Sequence, residues 1–132
     1  MLSAGHVSGA RRNTLLANTF RTRARIAAED GRLELARASV RRLQEMLLTN
    51  RSNAVERAYH GANGALLAAE SKSDAAIEEL REDSESPFSM LKLAELQAAS
   101  GKTGDAEETR NRLKADYGTT LEDWLVVRGL RQ

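Results

Sequence analysis

Apolar residues along this chain recur at spacings of three and four rather than two, which is the period of a helix lying with one face on a core. From Thr14 to Glu29 they fall at Leu15, Leu16, Phe20, Ala24 and Ala27, and from Leu33 to Leu48 at Leu35, Ala36, Val40, Leu43 and Leu47. Asn50 ends the second run. Asn53 with Glu56 three residues later predicts a capping box for a third helix reaching about Ala69, followed by a fourth from Ser73 to about Glu82. Ser86-Pro87 opens a fifth over 87–99, because proline at the first helical position loses no hydrogen bond. A sixth covers about 105–116 and is expected to stop at Tyr117-Gly118. Thr119 with Glu122 then caps a last helix within 119–131, whose Leu121, Trp124, Leu125 and Val127 need a surface to cover. Residues 1–13 are expected to form a flexible leader, and 14–132 a single all-α domain.

The turns between these helices repeat. "AAEDGRLELA" (27–36), "LAAESKSDAA" (67–76) and "QAASGKTGDA" (97–106) align without gaps. Each has alanine at the second place (Ala28, Ala68, Ala98), Gly or Ser at the fifth (Gly31, Ser71, Gly101), a base at the sixth (Arg32, Lys72, Lys102) and a closing alanine (Ala36, Ala76, Ala106). A residue able to take the left-handed conformation ends a helix, a base there faces the negative end of the helix dipole, and small alanines let two helices approach closely. The repeated object is therefore helix, tight turn, helix, with Ala36, Ala76 and Ala106 expected to be buried where helices cross.

With these residues the chain resembles the tetratricopeptide repeat (TPR) family, in which a Gly-x-x-x-x-Ala signature opens the second helix of each pair. Gly31 to Ala36, Ser71 to Ala76 and Gly101 to Ala106 match it, as do the small residues Ala24, Gly64 and Ala94 at the close-packing place of the first helices. Phe20, His60 and Met90 take the leading place there, and Asp83 and Arg110 stand where an apolar residue is usual. The signature alanines are 40 and then 30 residues apart, so the repeats are degenerate. The resemblance implies stacked antiparallel helical hairpins, an α-solenoid with units of about 14–50, 53–85 and 87–118 and a C-terminal capping helix. It further implies a non-catalytic module binding a protein or peptide in a concave groove, with Asn18, Arg21, Arg25, Ala62, Ala65, Lys92 and Glu95 facing the partner. Arg and Lys among these favour an acidic segment or a C-terminal carboxylate. Self-association through the C-terminal helix is a further expectation.

Composition narrows the alternatives. At 132 residues the chain suits one domain; aromatics are 4% and there is one proline, so the core must come from Leu, Ala, Val and Ile. The absence of cysteine removes disulfides, thiolate catalysis and Cys-based metal sites. "GKTG" (101–104) resembles the tail of a nucleotide-binding loop, but Leu96 stands where the first glycine belongs and the preceding "MLKLAELQAAS" is helical in spacing. His6 and His60 sit in no metal-ligand spacing, and no nucleophile, histidine and carboxylate set can be assembled, so neither enzyme activity, a cofactor nor a metal is expected. "REDSESP" (81–87) lacks the length and the glycine of a calcium loop and is expected to be a solvated loop with capping serines. No stretch approaches the length of a membrane span. A chain complete as written would be cytoplasmic, though it equally suits the C-terminal part of a longer protein.

Charge is uneven. Residues 1–60 hold eleven Arg and five acids, about +6; residues 61–132 hold nine bases and fourteen acids, about −5. Arg11, Arg12, Arg21, Arg23, Arg25, Arg32, Arg37, Arg41 and Arg42 carry the alternative function, a nucleic-acid-associated or regulatory helical protein, although only Phe20 accompanies them for stacking.

Overall fold

The computed structural model describes the backbone of residues 2–127 and the side chains of residues 9–117. Within them every regular element is a helix: α1 (Leu2–Glu29), α2 (Leu33–Thr49), α3 (Asn53–Ala69), α4 (Ser73–Arg81), α5 (Pro87–Ala99) and α6 (Thr103–Val127). The all-α class expected from the periodicity is the class observed. None of these helices is long and apolar enough to cross a membrane.

Three boundaries differ from expectation. The helix expected at Thr14 begins at Leu2, so the backbone of the segment read as a leader is helical; it contains no proline to stop it. α3 is capped by Ser52, whose hydroxyl accepts from the Val55 N–H, and not by Asn53. That places Val55 at the third helical position and leaves Glu56 one residue too late for a capping box. At the other end there is no stop at Tyr117-Gly118 and no separate capping helix over 119–131, because α6 runs unbroken to Val127. One glycine lowers helix preference by about 1 kcal/mol, which an otherwise continuous helix tolerates. The side chains of Leu121, Trp124, Leu125 and Val127, on which the expected cap depends, lie outside the described residues.

All three aligned turns have one geometry. Gly31, Ser71 and Gly101 have φ of 76, 65 and 81°. In each turn the N–H of that residue donates to the carbonyl three places back, at Ala28, Ala68 and Ala98, and the next N–H donates five places back, to Ala27, Leu67 and Gln97. This is the Schellman closure of a helix C-terminus. It also commits the Gly101 and Lys102 N–H groups of "GKTG" to helix carbonyls. Ser71 is the only described non-glycine with positive φ. A side chain there costs about 1–2 kcal/mol, partly offset by the unfolded-state entropy that glycine adds. Ser71→Gly is expected to stabilise by about 0.5–1 kcal/mol and raise Tm by roughly 2–5 °C. A thermal melt in which Tm falls would mean that the left-handed assignment at Ser71 is wrong.

Each helix packs on the next in the chain, and in addition α1 lies on α3 and α3 on α5. Among the described residues no other pair of helices comes into backbone contact. The core is correspondingly in two parts. Ala17, Ala24, Ala27, Ala28, Ala36, Val40, Leu43, Val55, Ala58, Ala62 and Leu66 join α1, α2 and α3, while Ile77, Leu80, Met90, Leu93 and Leu113 join α4, α5 and α6. The alanines at the helix crossings are buried as expected: Ala36 and Ala76 are 0% exposed and Ala106 is 1% exposed. So are Ala24 and Ala94, and a Cβ built on Gly64 would come within 2.7 Å of the Leu80 side chain. Small residues at these places set how closely successive helices approach.

Candidate binding groove

α1, α3 and α5 share one side of the molecule, with α3 between the other two, and α1 does not reach α5 by its backbone. The side chains of Arg21 and Arg25, one turn apart on α1, reach across to the α4–α5 loop and to α5. Arg21 donates from Nη1 to Asp83 Oδ1 at 2.7 Å and from Nη2 to Asn18 Oδ1 at 2.9 Å. The Arg25 guanidinium lies 4.1 Å from the centre of the Phe88 ring, within cation–π range, and contacts Glu29 at 3.3 Å.

Asp83 anchors the arrangement. The loop 81–87 is not wholly solvated, as the sequence reading expected, because this carboxylate is completely buried in it. Ser89 Oγ donates to Asp83 Oδ2 at 2.7 Å. Ser86 caps α5, with Pro87 at the first helical position as expected. Burial pushes the Asp83 carboxyl above its usual range, and the Arg21 guanidinium and Ser89 hydroxyl pull it back without cancelling the effect. Space for the carboxylate exists because residue 61 is glycine: a Cβ there would lie 2.9 Å from both Asp83 Cγ and Ser89 Oγ. Tyr117 closes the corner from α6 by donating to the Glu85 carbonyl at 2.9 Å.

Two small clefts adjoin along this side. One, of about 260 Å³, is bounded by Asn18, Arg21, Arg25, Ala65, Pro87 and Phe88 among others. The second, of about 200 Å³, is bounded by Arg25, Ala28, Ala65, Ala68 and Lys92 among others. Arg25 and Ala65 belong to both. Each is smaller than a drug-sized ligand site but large enough for one side chain.

Of the residues assigned to a partner, Asn18, Arg21, Arg25, Ala65 and Lys92 therefore come together here. Ala62 does not: it is 0% exposed and belongs to the core of α1, α2 and α3. Glu95 bounds neither cleft and lies exposed, 3.7 Å from Lys92 Nζ. Arg21 is occupied by Asp83 and Asn18, which leaves Arg25 and Lys92 as the cations turned to the clefts. Gly61, Phe88 and Ser89, which bound the first cleft, were not foreseen there, nor was the buried Asp83 as the partner of Arg21. A carboxylate at the apolar place of Asp83 and the pair Gly61 and Gly64, three apart on one helix, were the only signals of them in the sequence.

His60 lies apart from the groove, hydrogen-bonded through Nδ1 to Glu79 Oε2, while Asn63 donates to Glu79 Oε1 at 3.0 Å. Among the described residues no three His, Asp or Glu side chains gather as a metal site. Several of the arginines that suggested nucleic acid are engaged within the protein: Arg37 with Glu34 and Glu70, Arg42 with Glu45, and Arg21 with Asp83. Comparison of the chain with protein-family models, with curated proteins and with solved structures returned no match.

Proposed function

We propose that this chain is a protein–protein interaction module: a degenerate, tetratricopeptide-like stack of three helical hairpins that holds an acidic segment of a partner along α1, α3 and α5. The observation that carries the reading is the row of two adjoining, side-chain-sized clefts on those three helices, with Arg25 between them and Lys92 at one end. A row of small clefts suits an extended peptide, which offers successive side chains, better than one compact ligand. Arg25 and Lys92 then favour carboxylates through charge-assisted hydrogen bonds. The three identical turns and the contacts limited to neighbouring helices support the stacked-hairpin reading.

A peptide array of varied charge, followed by fluorescence polarisation on the strongest binders, tests this. Bound sequences are expected to be enriched in Asp and Glu. Arg25→Glu and Lys92→Glu should each weaken binding about tenfold, the equivalent of one lost charge-assisted contact, while Lys102→Glu on the exposed turn should not. Binding indifferent to both groove substitutions would overturn the reading. Saturable binding of RNA or duplex DNA that weakens steeply with salt, through the exposed Arg11, Arg12, Arg23, Arg32 and Arg41, would put the alternative in its place.

A further inference from the structure

A larger cleft than either of these lies elsewhere, on the side of the first hairpin turned away from α3. It measures about 580 Å³ between α1 and α2, is floored by Phe20, Ile26, Leu35 and Ala38, and no residue of α3 to α6 bounds it. Ile26 and Leu35 are 48% and 55% exposed there. Leu16, one turn before Phe20 on the same face of α1, is 41% exposed and prolongs the apolar strip. From Leu16 to Ile26 the strip runs about 15 Å, or roughly three turns of helix. Exposed large apolar side chains among the described residues are confined to this hairpin, since the others are Leu15 and Leu48. Exposure concentrated in this way marks a surface that meets another molecule.

Charge says what kind of molecule. Arg23 stands on α1, Arg41 and Arg42 on α2 and Arg32 at the turn joining them, against Asp30 and Glu45. Arg42 pairs with Glu45 at 3.6 Å, but Arg23, Arg32 and Arg41 have no carboxylate partner among the described residues. A wholly apolar partner would strip water from these guanidinium groups and return nothing. A nucleic-acid backbone would satisfy them, but the aliphatic floor of Ile26 and Leu35 offers bases nothing to stack on. An apolar stripe bordered by carboxylates satisfies both parts. Helix is the form that fits, because a trough between two packed helices takes the side-chain ridge of a third. α3 already packs on α1 and α2 from their other side, through Val55, Ala58, Ala62 and Leu66. We infer that the α1–α2 trough is a second docking surface, for an amphipathic helix of another protein whose apolar stripe is bordered by Asp or Glu. It shares no residue with the clefts along α1, α3 and α5, so its occupancy is independent of theirs.

Fluorescence polarisation with two labelled peptides of about sixteen residues, long enough to span the strip, tests this on the full chain. Both carry leucines at helical spacing; one borders them with glutamates and the other with lysines. The glutamate peptide should bind saturably, gain helicity in circular dichroism and weaken as salt is added. The lysine peptide should bind at least about tenfold more weakly. Leu35→Asp places a carboxylate on the floor at an exposed position, so its thermal melt should match the wild type while its affinity for the glutamate peptide falls about tenfold. Arg32→Glu with Arg41→Glu is the companion variant, and should weaken the glutamate peptide and favour the lysine one. Arg25→Glu, which tests the groove, should leave this binding unchanged. No saturable binding of the glutamate peptide, equal binding of the two peptides, or binding lost in Arg25→Glu and kept in Leu35→Asp would each overturn the inference. So would an RNA oligonucleotide that displaces the glutamate peptide from the trough, or a wild type that dimerises in sedimentation velocity and becomes monomeric with Leu35→Asp.

Discussion

Gly61→Ala is expected to destabilise the protein by about 3–5 kcal/mol, although glycine to alanine within an exposed helix ordinarily stabilises by about 1 kcal/mol. The added methyl would fall in the space of the Asp83 carboxylate, 2.9 Å from its Cγ. Two responses are available to the molecule. Asp83 can leave, which strands Arg21 and the buried Ser89 hydroxyl without their partner, or α3 and the α4–α5 corner can move apart and expose core. Both fall in the range measured for broken buried pairs and overpacked cores. Urea unfolding monitored by circular dichroism measures the loss. Removing the carboxylate in the same chain, Gly61→Ala with Asp83→Ala, should recover part of it, because the two substitutions share one volume and cannot be additive. Stability unchanged or improved by Gly61→Ala would mean that Asp83 is not buried against α3.

A glutamate at position 76 should be as damaging, and one at 75 nearly silent. Ala76 is 0% exposed at the helix crossing, while its neighbour Ala75 is exposed. A carboxylate at 76 would have to enter the core or force α4 off its neighbours, at a cost of about 3–5 kcal/mol. At 75 the same side chain remains in water, and a change within about 0.5 kcal/mol is expected. The pair differs by one residue, so it tests the register of the repeat directly. Equal effects at the two positions in the same unfolding experiment would show the aligned alanines to be misplaced.

The all-α class was legible because period 3.6 runs through most of the chain, and the turns were legible for a local reason. A helix that ends in three residues needs one of them left-handed, and only a few residue types accept that at low cost. Gly31 and Gly101 announce it themselves, and alignment with them extends it to Ser71, which propensity alone would not have chosen. The buried Ala36, Ala76 and Ala106 follow from the same alignment, since a turn of fixed geometry places the same helical positions against the preceding helix. Ends without such a device were misread. Gly118 resembled a stop but lies within a continuous helix, and a capping side chain was placed at Asn53 when Ser52 supplies it.

What the sequence determined by itself, then, is what depends on neighbours within one or two turns: helix as the only regular element of the described residues, the three left-handed turns, and the small residues beside them. Tertiary structure decided where charge is spent. Asp83 and Arg21 are 62 residues apart, and nothing in either local sequence says that the arginine expected to greet a partner would be held by a buried carboxylate. Ala62 was drawn into the core and Phe88 set beneath Arg25 by the way α1, α3 and α5 come together. Backbone hydrogen bonds and helical period act over three or four residues, so they can be read along the chain. Ion pairs and close packing act through space, and their partners exist only once the helices have met.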